Sequence, residues 1–571
     1  MLKKDDEHPQ LTVDTIEQAT AVQRSISIVF VALCTLAFVL CFLVSAGVLR
    51  QIASISTYVP MSSQVTFIGL RLLRTLGIQT LTDANLTFTV ITGIEFAMYG
   101  LGALFIQGQK SERRNIRIFL FIWLGAIIAG SILVVTQALI SHDIFVYAGY
   151  GRTIVAHGAN PYFVAPAAFP QDPVTHLDDW KDVTAAYGPL WLSFCSLVAL
   201  VAGTNATRYM LLFRLATFAA HLINIILVAA ILRTSGRSSR TITLGTFLYA
   251  WNPLLLLESC FSGHNDIFMI TLILFGVLFC VQGERHGFTR PLHYLPPVVA
   301  FTLAGLIKIT ALPLAALFLI LLARKTLYGT ANDTLKSWKL ASLQWKFAFP
   351  KVLFAGITIG LVVVLLYGPF FIGHSVPHII HSFTAPPSSR IPEHSILKAL
   401  IGWVGYHGMP LQTSWLYPVL TLLTTYKVWR IINIVLVLSA LIVSTIWLWR
   451  TPTTRTLVLT SIAVLGPLLI VTTWFYPWYV TWLVGLAAVS IPTSHQRVAR
   501  ALFAFALVFS ASARLTYLTA GRQDLVDWDV ISCAATIIPP MLTFLFFLCI
   551  KKMPWEHTSP ESETNTMVTT K

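Results

Sequence analysis

The sequence predicts an all-α, polytopic bundle of membrane-spanning helices, and three observations carry that prediction. Of 571 residues, 56% are hydrophobic and only 11% are charged, where a soluble domain averages about 25% charged. Apolar runs of about 18 residues or more recur from Ile26 to Ile550, long enough to cross a hydrocarbon core of about 30 Å. Lys and Arg gather in short clusters between those runs. The net charge of +15 therefore reads as the positive-inside pattern and excludes nucleic acid as a partner.

Taken in order, the runs predict about fourteen spans plus interfacial helices: 26–49, 86–107, 118–141, 209–232, 241–259, 267–283, 294–307, 309–323, 352–372, 431–449, 456–474, 477–492, 498–516 and 530–550. Residues 1–25 are polar and form a cytoplasmic N-terminal segment. The run after them is too long for a signal-peptide core, so it is read as a retained helix. Residues 26–553 form one membrane domain, and the Ser/Thr/Glu-rich tail 554–571 is read as disordered and cytoplasmic. Basic clusters lie at Lys110–Arg117, Arg233–Arg240, Arg285–Arg290, Arg324–Lys351, Arg450–Arg455, Arg497–Arg500 and Lys551–Lys552. Placing them all inside puts both termini in the cytoplasm.

Two segments test this scheme. Residues 187–203 are mostly apolar, and if they spanned, every later basic loop would invert. They are read as interfacial or re-entrant. Residues 294–323 exceed one helix and are short for two. Basic flanks on both sides predict two short helices, with Lys308 near the turn and Pro313 helping to break the helix. The competing reading is one long tilted helix with a snorkelling lysine.

Three long loops, 50–85, 142–186 and 373–430, then lie outside. Loops of that length bind something or are disordered, and their Pro and aromatic content argues for packing. The second holds Asp143, Asp172, Asp178, Asp179 and Asp182 against Arg152 and Lys181. The third holds His374, His378, His381, Arg390, His394, Lys398 and His407. The spacing of its first three histidines suits one helical face, but Pro377 interrupts it. Acids at such a face can serve as a general base or hold a metal; cations can hold a phosphate leaving group. Each also has a plain reading, a solvated carboxylate at a helix end or a lysine reaching headgroups. Trp474–Tyr479 is either an aromatic belt or a platform on which a sugar ring stacks. The cysteines (Cys34, Cys41, Cys195, Cys260, Cys280, Cys533, Cys549) lie in or beside apolar segments with no CxxC, which argues against disulfides and structural zinc. Nothing resembles a phosphate-cradling Gly-rich loop or GxSxG.

The sharpest pattern is Asp143, Tyr147, Gly151 and Arg152, after the apolar run 118–141, with His142 preceding the acid. Asn160-Pro161-Tyr162, Tyr187-Gly188-Pro189-Leu190-Trp191, Gly263-His264-Asn265-Asp266, Lys308 to Pro313 and Pro477-Trp478-Tyr479 follow in order. That ordered set resembles the GT-C glycosyltransferases, and more closely the bacterial polyprenol-phosphate-mannose-dependent α-mannosyltransferases and family 87 enzymes. The resemblance covers residues 143–479. It implies a GT-C bundle in the plasma (inner) membrane with its active site on the extracytoplasmic face. It implies transfer of a hexose, mannose, with inversion from a polyprenyl-phosphate donor to a cell-envelope glycan or glycolipid. Asp143 would be the base. His142, Tyr147, Arg152, Tyr162, Tyr187, His264, Asn265, Asp266, Lys308, Trp478 and Tyr479 would bind substrates, with Lys308 and Arg152 on the phosphate. No organic cofactor is implied. The lone acid, without a paired-acid motif, leaves a divalent cation open.

Two other classes fit the polytopy. A lipid-linked-sugar flippase or transporter predicts an internal repeat and broken helices meeting at the midplane, and the sequence has no such repeat. An O-antigen ligase or polymerase would share the composition and large external loop but lack the ordered Asp143 to Gly263–Asp266 set.

Overall fold

The computed structural model describes residues 13–52, 63–109, 116–328, 338–384, 392–411, 415–493, 496–519 and 528–550. The predicted segment 1–25 is thus described only from Val13. The tail 554–571, Arg390 and parts of the first and third loops lie outside the described residues. The chain divides into two compact units, Met1–Thr271 and Leu272–Lys571. It is a multi-pass membrane protein: eleven helices among the described residues are long and apolar enough to cross a bilayer.

The first unit opens with α1 (Val13–Ile52), α2 (Gln64–Thr75), α3 (Leu81–Gly108) and α4 (Ile116–Val134). Glycines let α1 and α2 touch backbone to backbone: a Cβ at Gly47 would lie 2.6 Å from the Gly69 carbonyl oxygen. Phe38 of α1 stacks on Trp251 at 4.2 Å, whose indole N–H donates to the Ile122 carbonyl of α4 at 2.9 Å. A buried Ser45–Glu95 hydrogen bond of 3.0 Å joins α1 to α3. Polar pairs of this kind hold helices together where no hydrophobic effect distinguishes helix from lipid.

The chain continues through α5 (Asp143–Val155), α6 (Pro189–Ala202), α7 (Ala206–Thr234), α8 (Ser239–Ala250), α9 (Pro253–Leu256) and the start of α10 (Asp266–Arg285). Two predicted spans are corrected here. The run 118–141 is not one helix: α4 ends at Val134 and an irregular segment leads to α5. The cause is Arg214, buried in α7, which donates to the carbonyls of Val134, Thr136 and Ala138. A guanidinium on the free carbonyls of a helix C-terminus satisfies both their hydrogen bonding and the helix dipole. The run 241–259 is likewise broken. The Asn252 side chain caps a new helix start by accepting from the Leu254 and Leu255 amides, with Pro253 at its first position. A π-helical turn, Leu257–Phe261, follows. The segment 187–203 forms α6, 14 residues long, which spans only about 21 Å at 1.5 Å per residue.

The second unit carries the rest of α10, then α11 (Pro291–Gly305) and α12 (Leu312–Tyr328). A 3-10 turn, Ile309–Ala311, separates them, with Lys308 just before it. The chain therefore breaks where the two-helix reading placed the break, and Pro313 sits in the first turn of α12, where proline is tolerated. Next come α13 (Trp338–Phe371), α14 (Val376–Thr384), α15 (Ile396–Leu411), α16 (Tyr417–Leu423), α17 (Tyr426–Arg450), α18 (Thr454–Val471), α19 (Thr481–Val489), α20 (Arg497–Ala513) and α21 (Trp528–Cys549). The third loop is thus largely helical. Pro377 opens α14 rather than interrupting it, for the same reason as Pro313. The predicted spans 294–307 and 477–492 appear as the 15-residue α11 and the nine-residue α19.

Candidate active site

The site begins at the N-terminus of α5. Asp143 is the first residue of that helix, where free N–H groups and the helix dipole favour a negative charge. Its backbone N–H donates to the Ser141 hydroxyl at 3.3 Å. Tyr147 lies one helical turn on, and its hydroxyl faces Asp143 Oδ2 at 3.3 Å. The Tyr187 hydroxyl reaches the same oxygen from the α6 side at 3.5 Å. Tyr162 fixes Tyr187 by donating to its carbonyl at 2.8 Å. The residues predicted from three separate motifs therefore converge on one carboxylate.

The Gly263–Asp266 motif arrives from the opposite direction. Gly263 takes φ +68°, a left-handed backbone that favours glycine, and this turns the chain so that His264 faces α5. His264 Nε2 is 3.2 Å from Ser141 Oγ and 3.8 Å from Asp143 Oδ2. Its Nδ1 is 2.7 Å from Glu258 Oε2. Glu258 and His264 have no exposed side-chain surface, whereas Asp143 keeps 17%. Asn265 and Asp266 are also buried. Neither polar atom of the Asn265 side chain has a hydrogen-bond partner among the described residues. The motif reading missed Glu258 and Ser141. A lone Glu after Leu254–Leu257 is itself a signal, because an acid in a membrane-length apolar run is functional by default. Ser141 directly precedes His142-Asp143.

Arg152, at the other end of α5, is placed differently. Its Nε donates to both Asp172 oxygens at 2.7 and 2.6 Å, and Nη1 donates to the Gly203 carbonyl at 2.6 Å. His157 Nε2 joins Asp172 at 2.8 Å, and the Val174 N–H adds 2.9 Å. Burial pushes the Asp172 carboxyl up, but these donors together hold it below the usual carboxylate range. Burial pushes Asp178, six residues on, up to about 7 against the pull of the Trp180 N–H and the Lys181 charge, and Asp179 and Asp143 add to the rise. His142 Nδ1 sits 2.6 Å from Asp179 Oδ2. Gly151 serves packing: a Cβ there would lie 2.4 Å from the Cys195 carbonyl oxygen of α6.

In the second unit, Lys308 Nζ lies over the Tyr479 ring at 4.8 Å and the Trp482 ring at 5.9 Å. Tyr476 stacks on Trp478 at 4.3 Å with planes 8° apart. Lys308, Trp478 and Tyr479 thus belong to one cation-on-aromatics cluster. No group of three His, Cys, Asp or Glu among the described residues could hold a metal ion.

The family model described as alpha-(1->6)-mannopyranosyltransferase, N-terminal domain, matches residues 39–324. The chain belongs to this family. The family's span takes in Asp143, Glu258, His264 and Lys308, and ends before Trp478 and Tyr479. Alpha-(1->6)-mannopyranosyltransferase A of Mycobacterium tuberculosis is 26% identical over 230 residues, 40% of this chain and 40% of that protein. The enzyme of the same name from Corynebacterium glutamicum is 24% identical over 155 residues, 26% of this chain and 30% of that protein. The matches thus span less than half of either relative. Among solved structures, the archaeal oligosaccharyltransferase AglB from Archaeoglobus fulgidus aligns over 72% of this chain and 52% of its own. The identity there is 13% and the TM-score 0.31.

Proposed function

We propose that this protein is an integral membrane mannosyltransferase. It takes mannose from a polyprenyl-phosphate donor and delivers it to a cell-envelope glycan or glycolipid on the extracytoplasmic face of the plasma membrane. Family membership and the mannopyranosyltransferase relatives support mannose as the sugar. The charge asymmetry of the loops supports the external face. A lipid-borne donor accounts for a chain with no nucleotide-binding motif.

The observation that carries the reading is Asp143: a partly open carboxylate at a helix N-terminus, flanked by Tyr147, Tyr187 and a buried His264. In the proposed step Asp143 takes the proton of an acceptor hydroxyl. The oxygen forms a bond to the anomeric carbon, the bond from that carbon to the phosphate oxygen breaks, and polyprenyl phosphate leaves with the electron pair. Attack opposite the leaving group inverts the anomeric centre. Lys308 is our candidate for the leaving phosphate on the strength of the family resemblance; the Arg152 guanidinium is engaged by Asp172 and Gly203. Any divalent cation would add Lewis-acid assistance to that departure.

The test is to incubate the purified protein with polyprenyl-phosphate mannose, glucose, galactose and arabinose and follow polyprenyl phosphate release with and without a mannan acceptor. Acceptor-dependent release from the mannose donor is expected. Release from none of the donors contradicts the assignment. Lys308→Ala should weaken donor binding by about 1.5–3 kcal/mol, the worth of a hydrogen bond to a charged group.

A further inference from the structure

We propose that Glu258 is a positioning residue that holds His264 with a ring N–H directed at Asp143. This rests on the reading of Asp143 as the base. The π-helical turn Leu257–Phe261 carries Glu258, and such turns are uncommon and recur at functional sites. A carboxylate with no exposed surface in an apolar run is costly unless it is paired. The side-chain partner facing it is His264 Nδ1 at 2.7 Å, the length of a charge-assisted hydrogen bond. With Nδ1–H given to Glu258, the ring's other nitrogen faces Ser141 Oγ at 3.2 Å and Asp143 Oδ2 at 3.8 Å. Ser141 Oγ already accepts the Asp143 N–H, so a second N–H from Nε2 suits it and the nearby carboxylate. A lone pair there would face Asp143's own negative charge.

Acids reach this part of the site from several elements. Tyr147 feels Asp143 from α5 and Asp266 from α10, and Asp178 feels Asp143 from the loop between α5 and α6. On α7, Arg214 lies over Phe261 at 4.6 Å and donates through Nη1 and Nη2 to backbone carbonyls. Glu258 therefore holds the His264 ring among these acids through the 2.7 Å contact. No bond to Glu258 changes during transfer; it acts through the ring.

The test uses the full-length enzyme and reads kcat/KM against pH together with donor KM. Glu258→Gln keeps the shape and removes the charge. Its acid limb should move to higher pH by about one unit, which is about a tenfold loss on that limb, with donor KM unchanged. Glu258→Gln added to His264→Gln should cost nothing further, because both act through one contact. A uniformly lowered or unshifted profile overturns the proposal, as does full additivity of the two losses. Should Glu258→Gln not fold, His264→Gln alone carries the test: the same limb shift is expected, and an unmoved limb overturns it. If Ser141→Ala abolishes turnover while Asp143→Asn does not, the ring serves Ser141 and both readings fall. If Asp143→Asn is inactive and Glu258→Gln behaves as wild type, only the present inference fails.

Discussion

The two ends of α5 hold the two charged residues of a single sequence pattern, and they are chemically opposite. At the N-terminus, Asp143 keeps exposed surface, receives long contacts from two tyrosines and faces a histidine that does not reach it directly. At the C-terminal end, Arg152 is closed off by Asp172 and the Gly203 carbonyl, and His157 completes the knot. Both ends combine an acid with a histidine. One has spare hydrogen-bonding capacity directed toward solvent, and the other is satisfied. A group whose bonds are satisfied positions the chain; a group with capacity left can act on a substrate. On this comparison the pattern supplies one chemical residue and one anchor for the loop between α5 and α6.

The comparison can be broken at either end. The largest effect is expected at Asp143: Asp143→Asn should lower turnover by about 100- to 10,000-fold, the worth of a general base. Its thermal midpoint should stay near that of the wild type. Arg152→Ala should do the reverse. Breaking a buried ion pair costs up to about 3–5 kcal/mol, here reduced by the His157 and Val174 N–H contacts that Asp172 keeps, so thermal or denaturant unfolding should shift while activity tracks the folded fraction. If Arg152→Ala folds normally and loses donor affinity instead, Arg152 is a phosphate ligand and the contrast collapses. A smaller loss is expected for Gly151→Ala, whose methyl would strike the Cys195 carbonyl; overpacking of this kind costs about 1–3 kcal/mol.

The smallest effect concerns Asp178. Its folded pKa is raised from 3.8 to about 7, mainly by burial, so the native loop holds the proton more tightly than the unfolded chain does. Its contribution to stability is full below pH 3.8 and is lost as pH rises through 7. Asp178→Asn should therefore flatten the fall in thermal midpoint between about pH 4 and pH 7. An identical fall in both proteins would remove Asp178 from the account. Asp172 has the opposite sign: its lowered pKa contributes stability that is lost as pH falls.

Hydrophobic patterning made the all-α membrane class legible, and ordered motifs made Asp143, Tyr147, Tyr187 and His264 legible as a group. What patterning could not supply was where the apolar runs break. The run 118–141 looks continuous because its last residues are apolar, yet Arg214, distant in sequence, ends α4 by taking its carbonyls. Glu258 escaped for a related reason: it sits inside an apolar run, and the π turn that carries it and its contact with His264 are not visible in that run. The motif around Arg152 does not show its partner, Asp172, which is 20 residues away. Long-range pairing decides whether a charge is free, and spacing within one motif does not encode it.

The central claim is that Asp143 removes a proton and does not bind the donor. It is tested most directly by measuring, on one preparation of Asp143→Asn, the affinity for polyprenyl-phosphate mannose and the single-turnover release of polyprenyl phosphate. The account predicts donor affinity equal to that of the wild type with release all but abolished. Retention of more than about a tenth of wild-type release, where a lost general base costs about 100-fold or more, would contradict it. So would a loss of donor affinity large enough to explain the lost release.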